Sequence, residues 1–116
     1  NMLVRFSHIM IYAKNHAASV KWYCDTLGYE IEYNAPGEYA SLHHKTLGRL
    51  AIHVTDSDDQ LGRGPMPYLL CTDIHETLDG LKAKGVRVSG PRREGESPWF
   101  ADFYDPDGNV WGIEES

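Results

Sequence analysis

The feature that most constrains the fold of this chain is one order of elements that occurs twice. Each half has a strand, an amphipathic helix that ends at a glycine, a second strand and a hairpin. One such unit cannot bury both faces of its sheet alone, so we expect the two sheets to complete each other around a cleft. The repeat predicts an α+β fold with two βαβββ modules. Residues 1–116 would form a single domain, with module one at about residues 5–55 and module two at about 65–115.

Module one is predicted from hydrophobic alternation and from helix signals. Asn15 is a suitable N-cap for a helix over His16–Leu27, and Gly28 is a suitable residue to end it. Stretches rich in β-branched and aromatic residues favour extended chain. They predict four strands, at Phe6–Tyr12, Tyr29–Asn34, Tyr39–His44 and Arg49–Val54.

Module two follows a polar linker at Thr55–Gly64. Asp73 and Glu76 form a pair like a capping box at the start of its helix, and Gly85 ends the helix. Asp105–Gly108 has the residues of a tight turn and predicts a closing β-hairpin. The remaining predicted elements are strands at Met66–Thr72 and Val86–Ser89, a loop at Gly90–Ser97, and the start of the hairpin near Trp99.

The strands supply candidate residues for binding a small molecule. Successive side chains of a strand point to opposite faces, so one face packs on the helix and the other lines the cleft. A mostly apolar surface with a few polar groups is typical of a small-molecule site. The candidate ligand-binding residues are His8, Met10, Tyr12, Tyr39, Ser41, His43, His53, Met66, Tyr68, Phe100, Asp102 and Tyr104. The sequence contains no legible catalytic triad and no glycine-rich phosphate loop, so it names no catalytic residue.

Composition excludes several classes of partner. The formal net charge is -6, and there is no extended basic run, so we expect no nucleic-acid binding. No apolar stretch approaches the length of a membrane span, and we expect no membrane partner. The two cysteines show no close pairing motif, which favours reduced thiols and a cytoplasmic location.

Four stretches of the chain together resemble the vicinal oxygen chelate superfamily, which includes glyoxalase I, bleomycin-resistance proteins and extradiol dioxygenases. They are Ser19–Gly28, Leu50–His53, Asp73–Val86 and the turn at Asp105–Asn109. The resemblance covers essentially the whole chain and implies paired βαβββ modules, commonly assembled as a homodimer. It also implies a glyoxalase/bleomycin-resistance-type protein that binds a small organic ligand.

The resemblance implies metal ligands at four positions, of which this sequence has competent residues at two. The positions are His8, His53, about Met66, and Gly112. Imidazole suits several divalent metals, whereas methionine is a poor ligand for hard cations and glycine has no side chain. Glu114 would face the same side as Gly112, roughly 6–7 Å further along the strand, and is a third candidate.

We therefore expect no metal cofactor and an aromatic-lined site for a small organic ligand. One alternative left open is a lyase or dioxygenase that depends on Zn, Ni, Fe or Mn, which needs about three protein ligands. Another is an assembly module whose cleft no longer binds a ligand. The identity of the ligand is not legible in the sequence.

Overall fold

The computed structural model describes residues 2–116, in which two helices and eight strands form two four-stranded sheets. The chain divides into two compact units, Asn1–Asp58 and Asp59–Ser116. Each unit contains one βαβββ module, so the predicted α+β class is confirmed. Within the described residues, neither helix is long and apolar enough to cross a membrane.

The first unit has its sheet in the strand order β1-β4-β3-β2. Strand β1 runs parallel to β4, and the other neighbours are antiparallel. The bounds of its elements are β1 Ile9–Ala13, α1 His16–Leu27, β2 Glu30–Ala35, β3 Tyr39–His44 and β4 Gly48–Val54. A short 3-10 turn at Asp58–Gln60 follows.

The ends of helix α1 are fixed locally, as its sequence predicts. The side chain of Asn15 accepts a hydrogen bond of 2.9 Å from the backbone N–H of Ala18. Gly28 adopts the left-handed conformation with φ of 78°, and its N–H donates to the carbonyl of Cys24. A residue with a Cβ atom adopts this conformation only at a cost, so glycine sets the end of the helix.

One face of the first sheet packs against α1 and forms a core. Leu42, Leu50 and Ile52 are fully buried on that face, and Val20 and Tyr23 contribute from the helix. Burial also raises the pKa of the neighbouring Tyr29 phenol to about 12. Each large side chain removed from water in this way contributes about 1.5–3 kcal/mol to the folded state.

The second unit repeats the arrangement, with strand order β5-β8-β7-β6. Asp73 caps its helix through a bond of 3.0 Å from the N–H of Glu76. Phe103 and Trp111 stack at 6.0 Å between ring centroids on the helix side of the sheet, where Ile74 and Leu78 of the helix are also buried. The elements are β5 Tyr68–Cys71, α2 Ile74–Ala83, β6 Arg87–Arg92, β7 Phe100–Tyr104 and β8 Val110–Glu115.

Three predicted boundaries are wrong by two residues or more. Strand β1 begins at Ile9 rather than Phe6, because Ile9 pairs with Leu50 and β4 begins only two residues earlier. Phe6 therefore has no strand partner and is 77% exposed. Strand β5 begins at Tyr68 rather than Met66, since the intervening Pro67 has no N–H to donate.

The third boundary concerns the segment after β6. The predicted loop at Gly90–Ser97 begins with strand, because β6 continues to Arg92, which pairs with Phe100. The ladder resumes there after an irregularity between Ser89 and Arg92. This extension brings Arg92 onto the sheet.

Candidate functional site

We define the first open face as the side of the first sheet that is turned away from α1. Strand register assigns its residues, because cross-strand partners share a face. They are Met10 and Tyr12 on β1, Arg49, Ala51 and His53 on β4, Tyr39, Ser41 and His43 on β3, and Glu30 and Tyr33 on β2. Six candidate ligand-binding residues are therefore brought to one surface: Met10, Tyr12, Tyr39, Ser41, His43 and His53.

An aromatic row crosses the first open face, with one ring from each of its four strands. Tyr12 lies 6.3 Å from His53, and His53 lies 4.7 Å from Tyr39 in an edge-on arrangement. Tyr33 extends the row at 6.1 Å from Tyr39. Tyr33 was not among the predicted site residues, because an irregularity of the β2–β3 pairing between Ile31 and Tyr33 interrupts simple alternation.

A polar network lies beside the aromatic row. One carboxylate oxygen of Glu32 accepts a hydrogen bond of 3.2 Å from Ser41, and the other accepts bonds of 3.3 and 3.1 Å from Arg49. The opposite charges of Glu32 and Arg49 cancel each other beside the aromatic row. Neither Glu32 nor Arg49 was a predicted site residue. The two residues are 17 positions apart in the sequence, and alternation within one strand does not reveal that they meet.

We define the second open face as the side of the second sheet that is turned away from α2. It carries Tyr68, Phe100, Asp102 and Tyr104 of the predicted site, and Glu114 of the predicted metal ligands. Register adds Leu70, Gly112, Arg87, Ser89 and Arg92. Met66 precedes β5 and is 41% exposed.

The ring of Tyr68 covers Gly112. A Cβ atom built on Gly112 would meet three atoms of that ring at 2.6, 2.7 and 2.8 Å, closer than real Cβ contacts allow. The two residues are paired across β5 and β8. A side chain at position 112 is therefore incompatible with the observed place of Tyr68.

Arginine side chains lie over aromatic rings on the same face. The guanidinium of Arg87 is 4.1 Å from the ring centroid of Tyr104, and that of Arg92 is 4.7 Å from that of Phe100. Arg92 also donates a hydrogen bond of 2.5 Å to the Oδ2 atom of Asp102. Arg92 was missing from the predicted site, because the end of β6 was predicted to be a loop.

The residues present do not fit the four-ligand metal centre that the resemblance implies. His8 lies just before β1, four residues from Tyr12, the partner of His53, and this spacing corresponds to about 13 Å along an extended backbone. Position 112 is closed by Tyr68, as above. Across residues 2–116, no three His, Cys, Asp or Glu side chains form a group that could hold a metal ion.

Comparison with known proteins decides the family. The family model of the Glyoxalase/Bleomycin resistance protein/Dioxygenase superfamily matches residues 5–113. The chain belongs to this superfamily. The match confirms the relationship inferred from the four stretches of sequence. No curated protein matches the chain.

Solved structures of this superfamily's fold resemble the chain over nearly its whole length. The antibiotic binding protein TnmS3 from Streptomyces sp. CB03234 is 21% identical, with 99% of this chain and 98% of TnmS3 covered and a TM-score of 0.76. The fosfomycin resistance protein FosX from Listeria monocytogenes is 19% identical, with 99% and 95% covered and a TM-score of 0.81. A superfamily member from Sphaerobacter thermophilus DSM 20745 is 21% identical, with both chains fully covered and a TM-score of 0.75.

Proposed function

We propose that this superfamily member binds a small, flat, largely apolar organic molecule on its open sheet faces without the full metal centre. The observation that carries the proposal is the ring of Tyr68 over Gly112. The superfamily resemblance implies a metal ligand at position 112, and here an aromatic ring takes that space. The second open face therefore offers an apolar surface where a metal ligand would otherwise stand.

The aromatic row of the first open face supports the same proposal. Aromatic rings bind flat molecules through offset stacking and edge contacts, each about 0.5–1.5 kcal/mol beyond the area buried. Tyr33 is 59% exposed, so it offers ring surface at one end of the row. The paired charges of Glu32 and Arg49 set a polar border, which suits an uncharged or weakly charged ligand.

Structural relatives are consistent with a small organic ligand. TnmS3 is described as an antibiotic binding protein, and FosX as a fosfomycin resistance protein. Two FosX structures are described as complexes with Mn(II), which supports a second candidate function, a metal-dependent lyase or dioxygenase. Such a function would require metal ligands other than the set that includes His8 and His53.

The proposal includes a homodimer in the cytoplasm. Large apolar side chains are exposed in the segment before β1 and on β5, and a partner copy would cover them. Met2, Leu3, Val4, Phe6 and Leu70 are 95%, 84%, 89%, 77% and 72% exposed. Cys24 and Cys71 are both free, in keeping with a reducing compartment.

The function is tested by titrating the ¹⁵N-labelled protein with bleomycin and a panel of flat aromatic antibiotics in the presence of EDTA. We expect at least one compound to shift the backbone amides of Tyr12, Tyr39 and His53. A Tyr39→Leu variant should weaken that binding, whereas Asp79→Asn on the exposed surface of α2 serves as the unchanged control. Binding that appears only after Mn, Zn, Ni or Fe is added would favour the metal-dependent alternative.

A further inference from the structure

Asp102 is held in one orientation by a well-defined set of contacts. It lies on the second open face, between Gly112 of β8 and Ser89 of β6. Arg92 donates to its Oδ2 atom at 2.5 Å. The guanidinium of Arg92 is in turn placed by the ring of Phe100 at 4.7 Å. The carboxylate therefore cannot rotate freely without losing a charge-assisted hydrogen bond.

The second oxygen of this carboxylate is left without a partner. Only 8% of Asp102 is exposed, and its Oδ1 atom is buried without a hydrogen-bond partner. An ionised carboxylate accepts hydrogen bonds at both oxygens, and a buried acceptor without a donor carries a desolvation penalty. An unpaired acceptor of this kind calls for a donor that the protein itself does not supply.

The surroundings of Asp102 indicate what kind of molecule brings that donor. Its neighbour Gly112 has no side chain, and the ring of Tyr68 lies close to that glycine in the same row of the sheet. Tyr68 is 51% exposed, so part of the ring remains available for contact. An apolar ring surface thus lies beside a fixed hydrogen-bond acceptor.

We infer that ligand binding uncovers the buried Oδ1 atom of Asp102, which then accepts a hydrogen bond from an N–H or O–H group of the bound molecule, whose flat part contacts Tyr68. The inference rests on the proposed function and narrows the ligand class to flat compounds that carry such a donor. A compound of the same shape without the donor would leave the carboxylate oxygen unpaired, and it would bind more weakly for that reason.

A matched pair of probes, indole and 1-methylindole, tests the inference, because they differ in the N–H donor. Each is titrated into the ¹⁵N-labelled full chain, and the amides of Tyr68, Asp102 and Gly112 are followed. A hydrogen bond to a charged acceptor predicts about tenfold to one hundredfold tighter binding of indole.

The variant Asp102→Asn removes the acceptor while keeping the shape. Its amide oxygen must face Arg92, because an amide NH₂ cannot pair with a guanidinium, so the NH₂ takes the place of Oδ1. We expect this variant to lose the preference for indole, and thermal unfolding is used to show that it stays folded. The control Asp79→Asn makes the same change of charge on the exposed surface of α2 and should keep the preference.

The outcomes separate the inference from the proposed function. Equal affinity for both probes, or a preference for indole that survives in Asp102→Asn, would overturn the inference while leaving an aromatic-binding face. If neither probe shifts an amide on either open face, the inference fails, and the proposed function is judged separately by the antibiotic titration.

Discussion

The two units share strand order and register, but their open faces carry different chemistry. The row formed by Tyr12, His53 and Tyr39 in the first sheet corresponds to Leu70, Glu114 and Phe100 in the second. Polar groups differ as well, since the first face balances Glu32 with Arg49, whereas the second places arginines over rings. The helix-facing sides remain apolar in both units. The comparison teaches that the fold constrains one face of each sheet and leaves the other free to acquire a function.

The middle row shows how far this freedom extends. Met10, Ala51 and Ser41 in the first sheet correspond to Tyr68, Gly112 and Asp102 in the second. Both central residues are small, and in the second sheet even a methyl group is excluded by the ring of Tyr68. The same backbone position thus tolerates a side chain in one unit and forbids it in the other, solely because of the neighbouring residue.

The largest expected effect contrasts the two faces of a single strand. Ile52 is fully buried against α1, and the adjacent His53 lies on the first open face. Ile52→Ala should lower the free energy of unfolding by about 2–5 kcal/mol, as truncation of core aliphatics does. His53→Ala should cost about 1 kcal/mol or less, in the range of non-core changes. Urea denaturation of both variants measures the contrast, and equal costs would show that His53 is a core residue.

A second expected effect contrasts the ion pair on each open face, Arg92 with Asp102 and Arg49 with Glu32. Arg92→Met leaves the buried carboxylate of Asp102 without its donor, so we expect a loss of about 1–3 kcal/mol in the free energy of unfolding. Arg49→Met breaks a pair whose side chains are 48% and 38% exposed, and we expect a loss of about 1 kcal/mol or less. Chemical denaturation at low and at high salt compares the two, and a larger loss for Arg49→Met would reverse the assignment.

A third effect concerns the middle row alone. Gly112→Ala forces the ring of Tyr68 to move, and the strain should cost about 1–3 kcal/mol. In a Tyr68→Ala background the same change should cost almost nothing, because the obstructing ring is gone. A double-mutant cycle measured by urea denaturation tests this coupling. Independent costs would mean that Tyr68 does not close the position.

Local signals made much of the fold predictable from the sequence. The helix at His16–Leu27 and the strand at Tyr39–His44 have the predicted bounds, because caps and turns lie within a few residues of the elements that they end. Alternation also assigned Met10 and Tyr12 to one face of their strand. This prediction succeeds because the alternation of side chains follows from the strand backbone alone.

The remaining features depend on pairing between strands that are distant in the sequence. The pairing irregularities before Tyr33 and Arg92 change which side chains reach the open faces. Neither the contact of Glu32 with Arg49 nor that of Arg92 with Asp102 can be read from one strand. The separation of His8 from His53 likewise follows from register, which a single sequence does not state.

The measurement that tests the central claim most directly is elemental analysis of the protein after gentle purification without chelators. The account predicts no stoichiometric zinc, nickel, iron or manganese, because Gly112 is covered by Tyr68 and the register separates His8 from His53. About one equivalent of such a metal per chain, lost in a His8→Ala variant that remains folded, would contradict the account.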